Sequence, residues 1–434
     1  MDNSRRSFIK KSLLGTTYMA MGGLGMSAKN YKNIVGSNER VGVAIIGLGR
    51  RLEAFVEPIM DKENNVHLVY LCDVMKSQRI QGGERFSNVL SYTPRLENDL
   101  RKIHEDKAVD AIIHLTPDHW HAPGACYAMQ AGKHVYVEKP CSHNPREGKM
   151  LLEFQNKYNK VIQVGNQARS SDTMIEIVKE IHNGLIGETY EAIAFYSNSR
   201  GEVPVQQPAP IPEGLDWDLF QGPAPRREYT HNTWDYNWHW YDWTYGTAES
   251  GNNMIHRYDL ARWAMQLDFP EQVKVEAKKS HFLDDGWTMY DTMNSIFRFP
   301  GNKIIKGDCK SRNGYNTYGH SNGAIIFGTK GSAYLSIDRY KIYDRGGKLI
   351  KQDASTLNPV NLHFTNFIDS IRGKATVNSP VIEAEKSTLL CHLANISYRT
   401  GEDFDVDSET GKIYNRDAMK LWGREYEPGW EPKL

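Results

Sequence analysis

Cysteine is scarce and badly placed for chemistry. The five cysteines, at 72, 126, 141, 309 and 391, form no CxxC pair and no metal-type spacing, so a cysteine-held zinc or iron–sulfur module is excluded and no metal site is expected. They read instead as small buried apolar residues. Charge of one sign is also lacking, because 53 Lys and Arg balance 53 Asp and Glu. That removes the electrostatic footprint expected of a nucleic-acid partner or an anionic membrane surface. There is no internal repeat and no low-complexity tract. No apolar run is comfortable as a bilayer span, since the stretch from Leu13 to Met26 is short and rich in glycine. What remains is a globular composition, 40% hydrophobic and 24% charged, in 434 residues, enough for two domains.

The first 37 residues read as a segment separate from the fold. Ser4-Arg5-Arg6-Ser7-Phe8-Ile9-Lys10 precedes the apolar stretch, and Ser27 and Ala28 follow it. A twin-arginine pair, a short apolar region and a small-residue exit make an export signal and linker, with a periplasmic or otherwise exported destination. A disordered basic terminus is the alternative. No cysteine stands between the apolar region and Cys72, which argues against a lipid anchor, so no stable membrane anchor is expected.

Residues 38–165 read as an α/β Rossmann domain with a doubly wound parallel sheet. Val41-Gly42-Val43-Ala44-Ile45-Ile46 is a short apolar run, and Gly47 and Gly49 end it. That is the pattern of a strand buried on both faces, turning tightly into a helix whose free N–H groups suit a pyrophosphate. Leu52 replaces the third glycine of the usual fingerprint. A second run, Val66 to Cys72, ends in Asp73, which stands 26 residues beyond Gly47 and is placed to accept from ribose hydroxyls. An acidic group there favours NAD. Arg50, Arg51, Lys76 and Arg79 keep NADP as the lesser alternative. Further strands are expected at 109–115, 134–137 and 161–164, with helices between them. In such sheets ligands sit at the carboxyl ends of strands. The polar clusters fall at those ends: Gly47 and Gly49, Asp73, Thr116-Pro117 with His121, Glu138-Lys139, and Gln167 with Arg169.

Residues 166–400 read as an α+β domain with an open, mainly antiparallel sheet, its late helices packing back on the first domain, and residues 401–434 as a tail. Strand-like runs stand at 190–196, 273–277, 293–299 and 324–327, and one helical segment at 254–265 interrupts them. Between 234 and 245 seven large aromatics occur in twelve positions, interleaved with Asp, Asn and His. Tyr236, Trp238, His239 and Trp240 there fit neither a helical nor a strand period. They read as a loop offering flat CH-binding faces with hydroxyl partners, as a sugar ring requires. An aromatic plug or an oligomer contact is the alternative.

The glycine loop, Thr116-Pro117 with His121, and above all Ala131-Gly132-Lys133-His134-Val135-Tyr136-Val137-Glu138-Lys139-Pro140 resemble the Gfo/Idh/MocA family of oxidoreductases. The likeness continues through His256-Arg257-Tyr258-Asp259 and the late helices, covering about residues 38–405. It implies a bound NAD or NADP and a sugar or glycoside substrate over the second-domain sheet. It also implies Lys139 and His256 as the catalytic pair beside the reacting carbinol, with His256 favoured as base. Arg169, Asn252 and Asp259 join the aromatic residues as substrate contacts. A homo-oligomer, dimer or tetramer, is expected. Asn252 stands where many members carry Asp, and Met254 where glycine is common. An amide cannot take a proton, so the usual Lys-Asp-His division of roles is left open. The expected activity is hydride transfer between a sugar hydroxyl and a tightly held nicotinamide. A glycosidase working by oxidation, elimination, hydration and reduction, and a non-catalytic sugar binder, are the alternatives. Intact Glu138-Lys139-Pro140 argues against the glycosidase.

Overall fold

A computed structural model describes residues 39–434; the expected export signal lies outside the described residues. The first half holds six parallel strands in the order β3-β2-β1-β4-β5-β6. They are β1 (Val41–Ile46), β2 (Val66–Cys72), β3 (Arg95–Glu97), β4 (Ala111–His114), β5 (His134–Val137) and β6 (Ile162–Val164). Every residue of β1 is buried, because the strand is central and helices cover both faces. The helices that matter below are α1 (Lys76–Ser87), α2 (Asp118–Gln130), α3 (Pro145–Tyr158), α4 (Ile255–Met265), α5 (Pro359–Ile371) and α6 (Val381–Thr400). Although late in the chain, α5 closes one face of the first sheet. Its Phe364 and Phe367 meet Phe55 and Tyr136 edge-on, at ring separations of 6.2 and 5.9 Å. Each such buried ring contributes on the order of 2 kcal/mol.

The second sheet has nine strands in the order β14-β13-β12-β11-β7-β10-β9-β8-β15. They are β7 (Thr189–Ser197), β8 (Gln272–Lys278), β9 (Thr292–Phe299), β10 (Lys303–Lys310), β11 (Asn322–Gly328), β12 (Gly331–Leu335), β13 (Arg339–Asp344), β14 (Leu349–Ala354) and β15 (Phe404–Asp405). All neighbours run antiparallel except β7 and β10. In β9 buried positions alternate with open ones, so one face packs under α4 and α6 while the other stays open.

Two expectations need correction. The stretch 78–107, whose mixed charges carry only a weak helical period at Leu96, Leu100 and Ile103, contains the edge strand β3, too short to show a period. Residues 401–434 are no loose tail. β15 pairs with β8, and Trp422 and Trp430 pack into cores of the fold, because their large apolar surfaces have somewhere to be buried. Among the described residues no helix is long and apolar enough to cross a membrane.

Candidate active site

At the carboxyl ends of β1, β2, β4 and β5 lies a cavity of about 430 Å³, roofed by the aromatic loop. Gly47 turns the chain out of β1 with φ +92°, and a Cβ there would stand 2.6 Å from the Leu115 carbonyl oxygen. Only glycine fits both demands. Nothing lies within 4 Å of the Cβ position at Gly49, so backbone faces open space. After this turn comes a 3₁₀ helix, Arg50–Phe55, rather than an α-helix. That accounts for Leu52, which is buried and packs toward α1 at Gly82 where the fingerprint's third glycine would allow close helix–strand contact.

Asp73 ends β2. Its carboxylate accepts from the Leu48 amide at 2.7 Å and from the Met75 amide at 2.8 Å, pinning the glycine loop while facing the cavity. Burial pushes its carboxyl above the usual range, against those two hydrogen bonds. The His121 ring ties the end of β4 to the end of β5, one nitrogen 2.8 Å from the Thr116 carbonyl and the other 2.6 Å from that of Pro140. The Thr116 hydroxyl is buried with no partner.

Glu138 and Lys139 follow β5. Glu138 accepts from Arg51 at 2.8 Å and from Gln167 at 2.9 Å. Burial raises the Glu138 carboxyl, but Arg51 and Lys139 outweigh it and hold the group below its ordinary value. The Lys139 amine donates to the Asn252 backbone carbonyl, with the Asn252 side-chain oxygen at 3.5 Å. Burial pulls this amine below its ordinary range, opposed by Glu138 and Asp118. Asp118, 3% exposed, also lines the cavity and accepts from the Thr247 hydroxyl at 2.6 Å. The sequence placed Asp118 in the right strand-end run but gave it no role.

The aromatic loop supplies the opposite wall. Tyr236 adopts φ +75° and lies under the Arg50 guanidinium, 4.2 Å from its centroid. His239 stacks on Trp238 with ring centroids 3.5 Å apart. Its Nδ1–H donates to the Tyr236 carbonyl at 2.7 Å, so Nε2 is left as an acceptor on the cavity wall. Burial, then Lys139 and two arginines, pull this imidazole well below its ordinary value, and it is neutral near pH 7. Arg200 and the fully buried Glu249, at 2.9 Å, brace the loop from behind; neither was singled out in the sequence, where nothing marks them.

Of the residues the sequence pointed to, Gly47, Gly49, Arg50, Arg51, Asp73, Thr116, Pro117, His121, Glu138, Lys139, Tyr236, Trp238, His239 and Asn252 line this one cavity. Five do not. Arg169 and Asp259 form a buried two-point ion pair, 2.8 Å at its closest, and Ser387 completes the carboxylate shell; they lock α4 to the core and lie off the cavity wall. Trp240 is 2% exposed and stacks on Trp287 at 4.0 Å, which makes it core. Gln167 stands behind Glu138 and Tyr136 and reaches the cavity only through them. His256, half-buried one turn beyond Asn252, is also off the cavity wall. Burial, then Lys139 and Arg257, hold it well below its ordinary value.

The donor set fits a dinucleotide. An orphaned hydroxyl at Thr116, open space over Gly49 and a carboxylate at the end of β2 are what a bound ribose and pyrophosphate would engage.

Comparison with known proteins agrees. A model of the "Oxidoreductase family, NAD-binding Rossmann fold" (GFO_IDH_MocA) matches residues 41–166. One of the "Oxidoreductase family, C-terminal alpha/beta domain" matches residues 190–430. An alpha-N-acetylgalactosaminidase of Shewanella oneidensis is 25% identical over 217 residues, 44% of this chain and 45% of its own length. A glycosyl hydrolase family 109 protein of Saccharopolyspora erythraea is 27% identical over 46% of this chain and 49% of its own. The chain thus spans about half the length of these curated relatives. Among solved structures, a levoglucosan dehydrogenase in complex with NADH and levoglucosan superposes with a TM-score of 0.64 at 17% identity, over 84% of this chain and 99% of its own. A dehydrogenase from Bordetella pertussis, in complex with NADH and UDP-GlcNAcA, gives 0.62 at 18%, over 85% and 99%. Likenesses at that identity are likenesses of fold.

Proposed function

The chain belongs to the Gfo/Idh/MocA oxidoreductase family, with an NAD-binding Rossmann domain, and on that premise we propose that it oxidises or reduces a hydroxyl-bearing carbon of a sugar or glycoside. The observation that carries the reading is Lys139, a half-buried amine held at a strand end in the same cavity as the neutral acceptor His239. Gly47, Gly49, Asp73 and Thr116 would hold the dinucleotide, and bound NAD supplies an acceptor for the hydride that leaves the substrate carbon. Lys139 donates to the substrate oxygen and fixes its position. Nε2 of His239 takes the hydroxyl proton, and its Nδ1–H bond to Tyr236 holds the ring in the tautomer that can. His256 is the lesser candidate for that proton, since it lies off the cavity wall and the Lys139 charge adds to burial in lowering its imidazole. Trp238 and Tyr236 offer ring faces to a pyranose.

NAD is favoured over NADP by the Asp73 carboxylate and by the surrounding cations. Arg50 lies on Tyr236, Arg51 on Glu138, and Arg79 donates to the Asp73 carbonyl at 2.6 Å. The test is absorbance at the reduced-nicotinamide band on adding glycosides to the purified protein. No change with any sugar overturns the reading. A glycosidase is the second reading, favoured by the names of the two curated relatives; aglycone release without net cofactor reduction would establish it. The arginine pair near the N-terminus supports export, tested by sequencing the mature N-terminus from a periplasmic fraction. The open face of the second sheet supports a homo-oligomer, tested by light scattering.

A further inference from the structure

Behind the aromatic loop lies a second cavity of about 300 Å³, whose walls include His143, Asn144, Trp243, Arg399 and Arg424. It shares no lining residue with the first cavity. The two are back to back, because Thr247 lines this one and donates its hydroxyl to Asp118 in the other.

Its walls hold more donors than the protein uses. Arg424, with a side chain 10% exposed, satisfies one terminal nitrogen on Glu147 at 2.7 Å and on the His119 carbonyl at 2.6 Å. Its Nε and Nη1 are buried without a partner. Asn144, 6% exposed, caps α3 through its side-chain oxygen and leaves its amide nitrogen buried and unpartnered. Both ring nitrogens of His143 are buried and unpartnered as well. Arg399, exposed at the rim, lies over the Trp243 ring, 5.1 Å from its centroid, and no carboxylate pairs with it among the described residues. Buried donors are rarely left unmade, and a roomy polar cavity that holds several in one place is a site for an acceptor-rich guest. Arg227 is already paired with Asp242, but Arg399 and Arg424 outnumber the one lining carboxylate, Glu425, and favour an anionic guest, and the planar guanidinium suits a carboxylate. The amide, the imidazole and the indole face suit hydroxyls and the CH face of a ring.

We propose that this cavity binds a carboxylate-bearing sugar unit, a hexuronate, with its carboxylate between Arg399 and Arg424 and its ring along Trp243. The proposal does not rest on the reaction assigned to the first cavity.

The test is titration calorimetry of the NAD-loaded protein with sodium D-glucuronate, with D-glucose and sodium sulfate as controls. Glucuronate should bind in the native chain and equally in Lys139→Ala, whose turnover is lost, which separates this site from the catalytic one. Arg399→Gln, at the cavity mouth, should weaken binding at least tenfold while NAD affinity is unchanged. Arg424→Gln should do the same if it folds; Arg399→Gln decides the matter if it does not. Absence of glucuronate binding, an equal response to glucose, sulfate binding as tight as glucuronate, or undiminished affinity in Arg399→Gln would each overturn the proposal.

Discussion

One wall of the reaction cavity is made of strand ends, the other of a loop. Gly47, Asp73, Thr116 and Lys139 stand where parallel strands stop; the Gly47 amide donates to the Cys72 carbonyl at 2.8 Å and the Asp73 amide to that of Glu97 at 3.2 Å, while Thr116 and Lys139 follow strands paired in register just before them. Tyr236, Trp238 and His239 stand on a segment held by partners far away in sequence. Arg50 lies on Tyr236, and Arg200, braced by Glu249, reaches its hydroxyl at 3.3 Å. The loop also carries backbone strain, since a tyrosine at φ +75° costs on the order of 1 kcal/mol. The two walls therefore divide the work. On the proposed function the strand ends present the cofactor residues, and the loop presents aromatic faces to the substrate whose placement depends on a few side-chain clamps.

The sharpest way to break that division is Lys139→Ala. Turnover should fall by about 10³-fold, within the range that positioned acid–base groups supply. Cofactor affinity, measured by nicotinamide fluorescence, should change less than about threefold, because glycine-loop and Asp73 contacts remain. Equal loss of both would mean that Lys139 belongs to the cofactor site alone. Asp259→Asn should have the next largest effect, and on stability rather than chemistry. Breaking a buried ion pair while leaving Arg169 uncompensated costs about 3–5 kcal/mol. Thermal unfolding should shift down by several degrees, with KM for substrate unchanged in the folded fraction. A large KM effect at native stability would return Asp259 to the substrate site.

Acid should distinguish the two halves. His114 and His119 are held down to about 3 and His104, His134 and His363 to about 4, chiefly by burial, and all five lie in or against the first domain, against His392, at about 3, with His239 and His256 in the second half. Each binds a proton more readily when unfolded. Its stabilising effect is therefore complete above an unfolded value of about 6.5 and is lost as pH falls toward the folded value, by about 1 kcal/mol per unit for each histidine. Asp73 and Asp118, whose carboxyls burial raises, offset part of this. Between pH 7 and 5.5 hydrogen exchange should show the Rossmann half losing protection before the second sheet. The reverse order would mean that other groups control acid unfolding.

The same contrast explains what the sequence revealed. A strand buried on both faces is a continuous apolar run, and the residue after it faces ligand, so Gly47, Asp73, Thr116 and Lys139 were legible from position alone. The aromatic loop was legible as an anomaly of composition but not in detail. Nothing in the order Trp238-His239-Trp240 shows that the first two line a cavity while Trp240 stacks in the core, because Trp287 decides it. Arg169 was misplaced for a similar reason: it follows a strand end, yet its partner Asp259 lies 90 residues away. β3 was missed because three residues carry no period, and Leu52, a departure from the glycine fingerprint, has its place to pack in the 3₁₀ turn.

Two smaller substitutions probe one wall each. Asp73→Asn should weaken NAD about tenfold, since the amide keeps the shape but loses the charge that favours ribose hydroxyls, and it should narrow the preference over NADP. Arg50→Ala should leave NAD affinity nearly untouched if the guanidinium serves the loop. An exposed cation–π contact contributes about 0.5–1 kcal/mol, so removing it should raise KM for a sugar two- to fivefold with little change in kcat. Hydrogen exchange at residues 234–241 should rise at the same time. Loss of NAD affinity with no change in the loop would place Arg50 on the pyrophosphate instead.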